Sequence, residues 1–303
     1  MNNNAVETTG IKLVSPCLYL VGRQELNDPA LIEFLADHDQ DAMWMNGDHR
    51  THESGDSELL IESGGRLCYM SFSKPRPGGN KSYIEHILEV GHGSVLEHAV
   101  WNFVLTGVSR SLSHELVRHR AGMGYSQLSQ RYVDESVAEY IIPTVIDSDP
   151  QLKRQWLESI KKSHDTYCLL TGKLYLKVCE KAYANYVKAS VGDTPEEPNF
   201  TYDEWLSSMP QELRTTLRKE ARQAARSVLP NATETKLMVT ANARALRNFL
   251  ELRAHPAAEL EIRRVAMMFY DILVSEAPNI FGDYVVQYLD DGSQCLTTPY
   301  RKV

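Results

Sequence analysis

The densest run of chemistry-capable side chains is His114–Tyr132, HELVRHRAGMGYSQLSQRY. It holds three arginines, two histidines, two glycines, two serines and two glutamines. A core element is mostly apolar, and a solvated helix face mixes charge signs. Here Arg118, Arg120 and Arg131 have one carboxylate before them, Glu115, and none after until Asp134. Arginine offers a rigid fork of donors and glycine lets bare backbone approach, a combination suited to a phosphate or another small anion. Taken alone, Arg118-His119-Arg120 reads as a basic surface turn, because short basic clusters are common.

Several elements must hold this run in place. Ser109–Val117 reads as a short helix feeding it, with Ser111 or Ser113 as N-cap. Residues two apart do not share a helix face, so Arg118 and Arg120 diverge, and Gly122 and Gly124 end the helix. Ahead of it, Ala99–Val108 is a strand by its β-branched and aromatic content. Ile11–Gly22 reads as a strand interrupted by Pro16, and Asp28 caps a helix with Pro29 at its first position. Residues 57–70 form a helix weakened by Gly64-Gly65, and residues 82–90 form another, closed by Gly91. Residues 149–191 are strongly helical, with a solvated face of Lys161, Lys162, Lys173, Lys177 and Lys181. A helix from Pro210 to Ser227 carries Arg218, Arg222 and Arg226 as a solvated stripe. Strand 236–240, helix 242–253 and helix 257–276 follow, then an irregular tail.

Composition bounds the function. The chain has 303 residues, 43% hydrophobic and 24% charged, with a net charge of −8. These values are globular, and the negative balance disfavours nucleic acid or an anionic membrane as partner. Cys17, Cys68, Cys168, Cys179 and Cys295 are scattered without metal-ligand spacing, so free thiols and a cytoplasmic setting are expected. His49 and His52 read as solvated loop histidines, and no metal site is expected. No signal peptide or membrane span is expected either. No repeat or linker is evident, so one domain spanning 1–303 is the economical reading.

Three separated segments, the opening run among them, share one small-plus-polar character. They carry Arg118-His119-Arg120 followed by Ser126-Gln-Leu-Ser-Gln-Arg-Tyr132; Gly91, His92, Ser94, Glu97 and His98; and Arg226-Ser-Val-Leu-Pro-Asn-Ala-Thr-Glu-Thr235 with Asn242, Arg244 and Arg253. Together they resemble the flavin-dependent thymidylate synthases. The resemblance implies an α+β fold, a mixed or antiparallel sheet flanked by helices, with 149–215 as an enlarged helical insertion. It implies reductive methylation of dUMP at C5 to dTMP, with methylenetetrahydrofolate as carbon donor and FAD and NADPH as reductant. Homotetramers with shared active sites are implied as well.

Site roles follow from the same resemblance. Glu115, Gln127, Ser129, Gln130, Arg131 and Arg226 are implied nucleotide contacts. Arg253 is the implied catalytic group, an electrostatic activator of the uracil and not a base. His92, Ser94, Glu97, Arg118, His119, Arg120, Arg244 and Asn248 are implied flavin contacts. Two departures are visible. Eight residues rather than seven separate Arg120 from Ser129, and Ala257 stands where the family often has a flavin-contacting histidine, with His255 two residues before it. The longer spacing motivates a second reading, C5-methylation of another uridine nucleotide such as UMP in nucleoside-antibiotic biosynthesis. A third reading is a non-enzymatic nucleotide- or RNA-binding module.

Overall fold

A computed structural model describes residues 10–41, 55–74, 76–191 and 200–301. The strands are β1 (Lys12–Leu13), β2 (Cys17–Arg23), β3 (Val100–Ser109), β4 (Met123–Gln127), β5 (Glu139–Tyr140), β6 (Glu234–Asn242), β7 (Val285–Tyr288) and β8 (Gln294–Thr297). The first helices are α1 (Asp28–Asp37), α2 (Asp56–Leu67), α3 (Gly79–Val90), α4 (Arg110–Leu116), α5 (Thr144–Asp147) and α6 (Pro150–Val191). The remainder are α7 (Tyr202–Ser208), α8 (Gln211–Ala225), α9 (Ala243–Arg253), α10 (Leu260–Glu276) and α11 (Pro278–Phe281). Short 3-10 turns span Gly93–His98, Glu135–Val137 and Arg226–Val228. The fold mixes helices and sheets, as expected. The chain forms two compact units, the first from the described residues among 1–15, 109–111 and 128–235, the second from the rest.

In the second unit a four-stranded sheet has the order β2-β3-β6-β4. Trp101, Phe103 and Leu105 of β3 are buried at every second position, as are Leu237, Val239 and Ala241 of β6. That is the period of strands with one face inward. Leu246, Phe249 and Leu250 of α9 and Val265, Phe269 and Leu273 of α10 complete this core. Phe103 meets Phe269 edge-on at 4.8 Å. Each such side chain contributes about 1.5–3 kcal/mol by leaving water.

In the first unit α6 runs for 42 residues. Cys179, Trp205, Met209 and Leu217 form one apolar cluster there, and Ile11, Tyr140 and Ile160 form another. The five lysines expected on the solvated face of α6 are all exposed. The five cysteines are free. Among the described residues, no helix is long and apolar enough to cross a membrane.

Several local expectations change. The cap of α1 is Asn27, whose side chain accepts from the Ala30 N–H. Ser111 and Ser113 lie inside α4 and do not precede it. Gly64 and Gly65 do not weaken α2 without purpose: they face the His98 ring and the Tyr83 hydroxyl, where a Cβ has no room. The supposedly irregular tail is a hairpin of β7 and β8, with Gly292 at φ 76° in its turn. Of the supposed solvated stripe, Arg222 bonds the Tyr132 carbonyl and the Asp134 carboxylate at 2.8 and 2.7 Å. His49 and His52 lie outside the described residues.

Candidate functional site

The first unit carries Ser129, Gln130, Arg131 and Arg226. Segment 128–134 is tied down from several sides: Arg110 donates to the Leu128 carbonyl at 2.9 Å, and Arg222 holds the Tyr132 carbonyl. Ser129 Oγ accepts from the Arg131 N–H. The Arg131 guanidinium lies 5.9 Å from the Tyr132 ring centre, and its buried Nε has no hydrogen-bond partner among the described residues. Burial lowers the Arg110 pKa; the Glu135 carboxylate opposes that shift, and the Arg226 charge adds to it more weakly. The orphaned Arg131 guanidinium N–H suits a bound anion.

In the second unit, α9 is the organising element. Asn242 caps it, accepting from the Ala245 N–H at 2.8 Å. Two polar turns converge on this N-terminus. The Ala243 N–H donates to the Ala99 carbonyl at 2.9 Å, bringing in the Gly93–His98 turn; the Asn242 N–H donates to the Gly122 carbonyl at 3.0 Å, bringing in the Arg118–Gly122 turn. In the first of these, Val95 and Leu96 are buried while His92, Ser94 and Glu97 are exposed. Gly91, at φ 73°, ends α3 and directs the chain into that turn, as the sequence suggested. Arg244 and Asn248, four residues apart, share the exposed stripe of α9. Arg244 pairs with Glu97 at 2.7 Å. Arg118 and Arg120 are exposed and make no ion pair with any described residue.

Gly122 packs directly against the cap of α9. Its φ is 69°, and a Cβ built there lies 2.5–2.7 Å from the Asn242 side chain. Strand β4 pairs antiparallel with β6 from Met123↔Ala241 to Gln127↔Leu237 without a shift. Strand β4 therefore carries no bulge. Gly122→Ala should lower stability by about 1–3 kcal/mol, through a strained backbone and a displaced cap. Urea unfolding that finds an unchanged midpoint would contradict this packing.

At the other end of α9, Arg253 is held by two groups. Its Nη1 donates to Glu115 at 2.8 Å and its Nε to His119 Nε2 at 3.0 Å. Its side chain is 23% exposed and that of Glu115 35%. Burial, and secondly the charge of Arg253, lower the His119 pKa to about 4. Gln127, at the end of β4, donates to the Ser113 hydroxyl at 3.0 Å. Beyond the end of the helix, the exposed His255 accepts through Nδ1 from the Ala257 N–H and so folds back on its own turn.

The donor set fits FAD. A diphosphate needs cationic forks, and Arg118, Arg120 and Arg244 present them on exposed surface. Two supporting roles are not marked by the motifs: Asn242 as the cap of α9, and Tyr125, whose hydroxyl lies 2.9 Å from the carbonyl oxygens of Leu116 and His119. Asn242 alone carried a signal, a capping residue type at the start of a helical pattern.

Residues 51–279 match the family model described as thymidylate synthase complementing protein. The chain is similar to the flavin-dependent thymidylate synthase of Mycobacterium sp. (strain JLS), 45% identical over 243 residues, 79% of this chain and 85% of that one. It is similar to the one from Mycolicibacterium gilvum (strain PYR-GCK), 39% identical over 282 residues, 92% of this chain and 94% of that one. The Corynebacterium efficiens protein of the same name is 40% identical over 251 residues, 80% and 86% of the two chains. The chain thus belongs to the thymidylate synthase complementing protein family, the family of the flavin-dependent thymidylate synthases.

Proposed function

We propose that this protein methylates dUMP at C5 to give dTMP, taking the carbon from methylenetetrahydrofolate. Bound FAD supplies the reducing equivalents and NADPH restores them. The observation that carries the reading is the held Arg253. Of its five donors, two are used among the described residues, which leaves Nη2 and one hydrogen of Nη1 for a substrate oxygen. A fixed, permanently charged guanidinium against a uracil carbonyl stabilises the negative charge that builds as C5 becomes nucleophilic. It costs no proton transfer, because arginine stays protonated.

The remaining roles are assigned unit by unit. In the first, Ser129, Gln130, Arg131 and Arg226 are nucleotide contacts, supported by the orphaned Nε of Arg131. In the second, Glu115 and Gln127 are nucleotide contacts. His92, Ser94, Glu97, Arg118, His119, Arg120, Arg244 and Asn248 bind flavin, supported by the two turns that meet at the start of α9. A homotetramer in which subunits share active sites belongs to the same reading, as does a cytoplasmic setting.

Two outcomes check it. Saturating FAD should raise Tm, since a ligand at one hundred times its Kd adds about 2.7 kcal/mol to the folded state. Equal melting with and without FAD would count against the flavin site. Expression in a thymidine auxotroph should restore growth without thymidine. Failure to complement, together with methylation of UMP in vitro, would shift the substrate to another uridine nucleotide.

A further inference from the structure

We infer that His119 is a positioning residue for Arg253: its neutral imidazole accepts the Arg253 Nε–H and, with Glu115, fixes the plane of the guanidinium. This rests on the reading that Arg253 acts on the uracil ring, and it gives His119 a task distinct from flavin contact.

Arginine is long and rotamer-rich, and Arg253 stands at the last turn of α9. One contact from Nη1 to Glu115 leaves the guanidinium free to swing about that point. The second contact, from Nε, lies on another edge of the fork, so together they set its plane and leave Nη2 open. An arginine nitrogen only donates, so His119 Nε2 must be the accepting, unprotonated nitrogen and the ring proton sits on Nδ1. Burial keeps the imidazole in that neutral form. A neutral acceptor also suits the task better than a second carboxylate. It holds the guanidinium without cancelling the charge that the uracil needs.

The imidazole is itself held by the second unit's core. Its ring meets Phe249 edge-on at 5.3 Å and 82°, and Phe249, fully buried, packs on Phe269. Phe249 lies one turn before Arg253 on α9, so the ring and the guanidinium it grips take their position from one helix. The Tyr125 hydroxyl, 2.9 Å from the carbonyl oxygens of both Leu116 and His119, secures the backbone on the other side. None of these supports depends on a bound ligand.

The test compares His119→Leu, His119→Gln and Arg253→Ala in the FAD-loaded enzyme. The readouts are kcat, KM for dUMP, and FAD affinity from flavin fluorescence. Glutamine can place its amide oxygen near the position of Nε2; leucine fills the space without an acceptor. A loosened Arg253 should cost up to about 100-fold in kcat for His119→Leu, the scale of a small misplacement of a catalytic group. His119→Gln should recover most of that loss while matching His119→Leu in FAD affinity. Adding His119→Leu to Arg253→Ala should lower kcat no further. The inference is overturned if His119→Leu keeps kcat and weakens only FAD, or if glutamine rescues nothing. If Arg253→Ala itself retains full turnover, the parent reading of Arg253 fails instead.

Discussion

Arg253→Ala should lower kcat/KM for dUMP methylation by about 10²–10³-fold, the range for removing one preorganised donor from a developing negative charge. The fold should survive the change. Arg253 sits at the end of α9, and the Glu115 carboxylate it leaves is 35% exposed, so water can replace the lost contact. A stability loss near 1 kcal/mol is expected, the usual worth of a hydrogen bond. The variant carries a second signature. The charge of Arg253 is one of two causes that depress the His119 pKa to about 4, so the value should rise in the variant, which NMR titration reads directly. Unfolded, His119 takes its proton near 6.5. The stability contributed by the neutral folded imidazole is therefore present above that pH and is lost as pH falls toward 4. Arg253→Ala should narrow that window from below. Retained activity, or an unmoved His119 titration, would detach Arg253 from the role given to it.

Asp283→Ala should destabilise the protein by about 3–5 kcal/mol, because it strands a buried cation. Arg247 is 2% exposed and forms a two-pronged pair with Asp283, Nη1 to Oδ1 at 2.6 Å and Nη2 to Oδ2 at 2.9 Å. Its guanidinium also donates to the Tyr300 carbonyl and lies 4.9 Å from the centre of the Tyr284 ring. The pair ties α9 to the chain after α11, and so bears on the helix that presents Arg244, Asn248 and Arg253. Removing both charges together, as Arg247→Met with Asp283→Ala, should recover much of the loss. Urea unfolding of the single and double variants measures this. A loss below about 1 kcal/mol for Asp283→Ala would show that water reaches Arg247 and that the pair is not a brace.

The sequence made α9 and its neighbours legible unevenly. Strand β3 was readable because Val100–Val108 is rich in β-branched and aromatic residues. The end of α3 was readable because only glycine suits the left-handed turn at Gly91. Arg244, Asn248 and Arg253 stood out as polar groups on a helical pattern, while Arg247 did not. It falls among Leu246, Phe249 and Leu250 on the buried face, and its partner Asp283 lies 36 residues away with no periodic marker. The β7–β8 hairpin was missed because its strands are only four residues each and leave little alternation to detect. Strand β4 was missed for a different reason. MGYSQ has glycine and polar residues where a strand usually carries β-branched ones, and its pairing with β6 supplies what local preference lacks. The bond from Arg253 to His119 was out of reach of spacing altogether. The two residues are 134 positions apart, and the resemblance assigns each a different partner.

The product of the reaction tests the central assignment most directly. The FAD-loaded protein would be incubated anaerobically with NADPH, methylenetetrahydrofolate labelled at its methylene carbon, and either dUMP or UMP, and the nucleotides identified by mass. The expected result is dTMP carrying the labelled carbon, formed from dUMP in preference to UMP, with turnover collapsing in Arg253→Ala. Labelled methyl appearing on UMP while dUMP stays unchanged, or flavin oxidation without carbon transfer to either nucleotide, would contradict it.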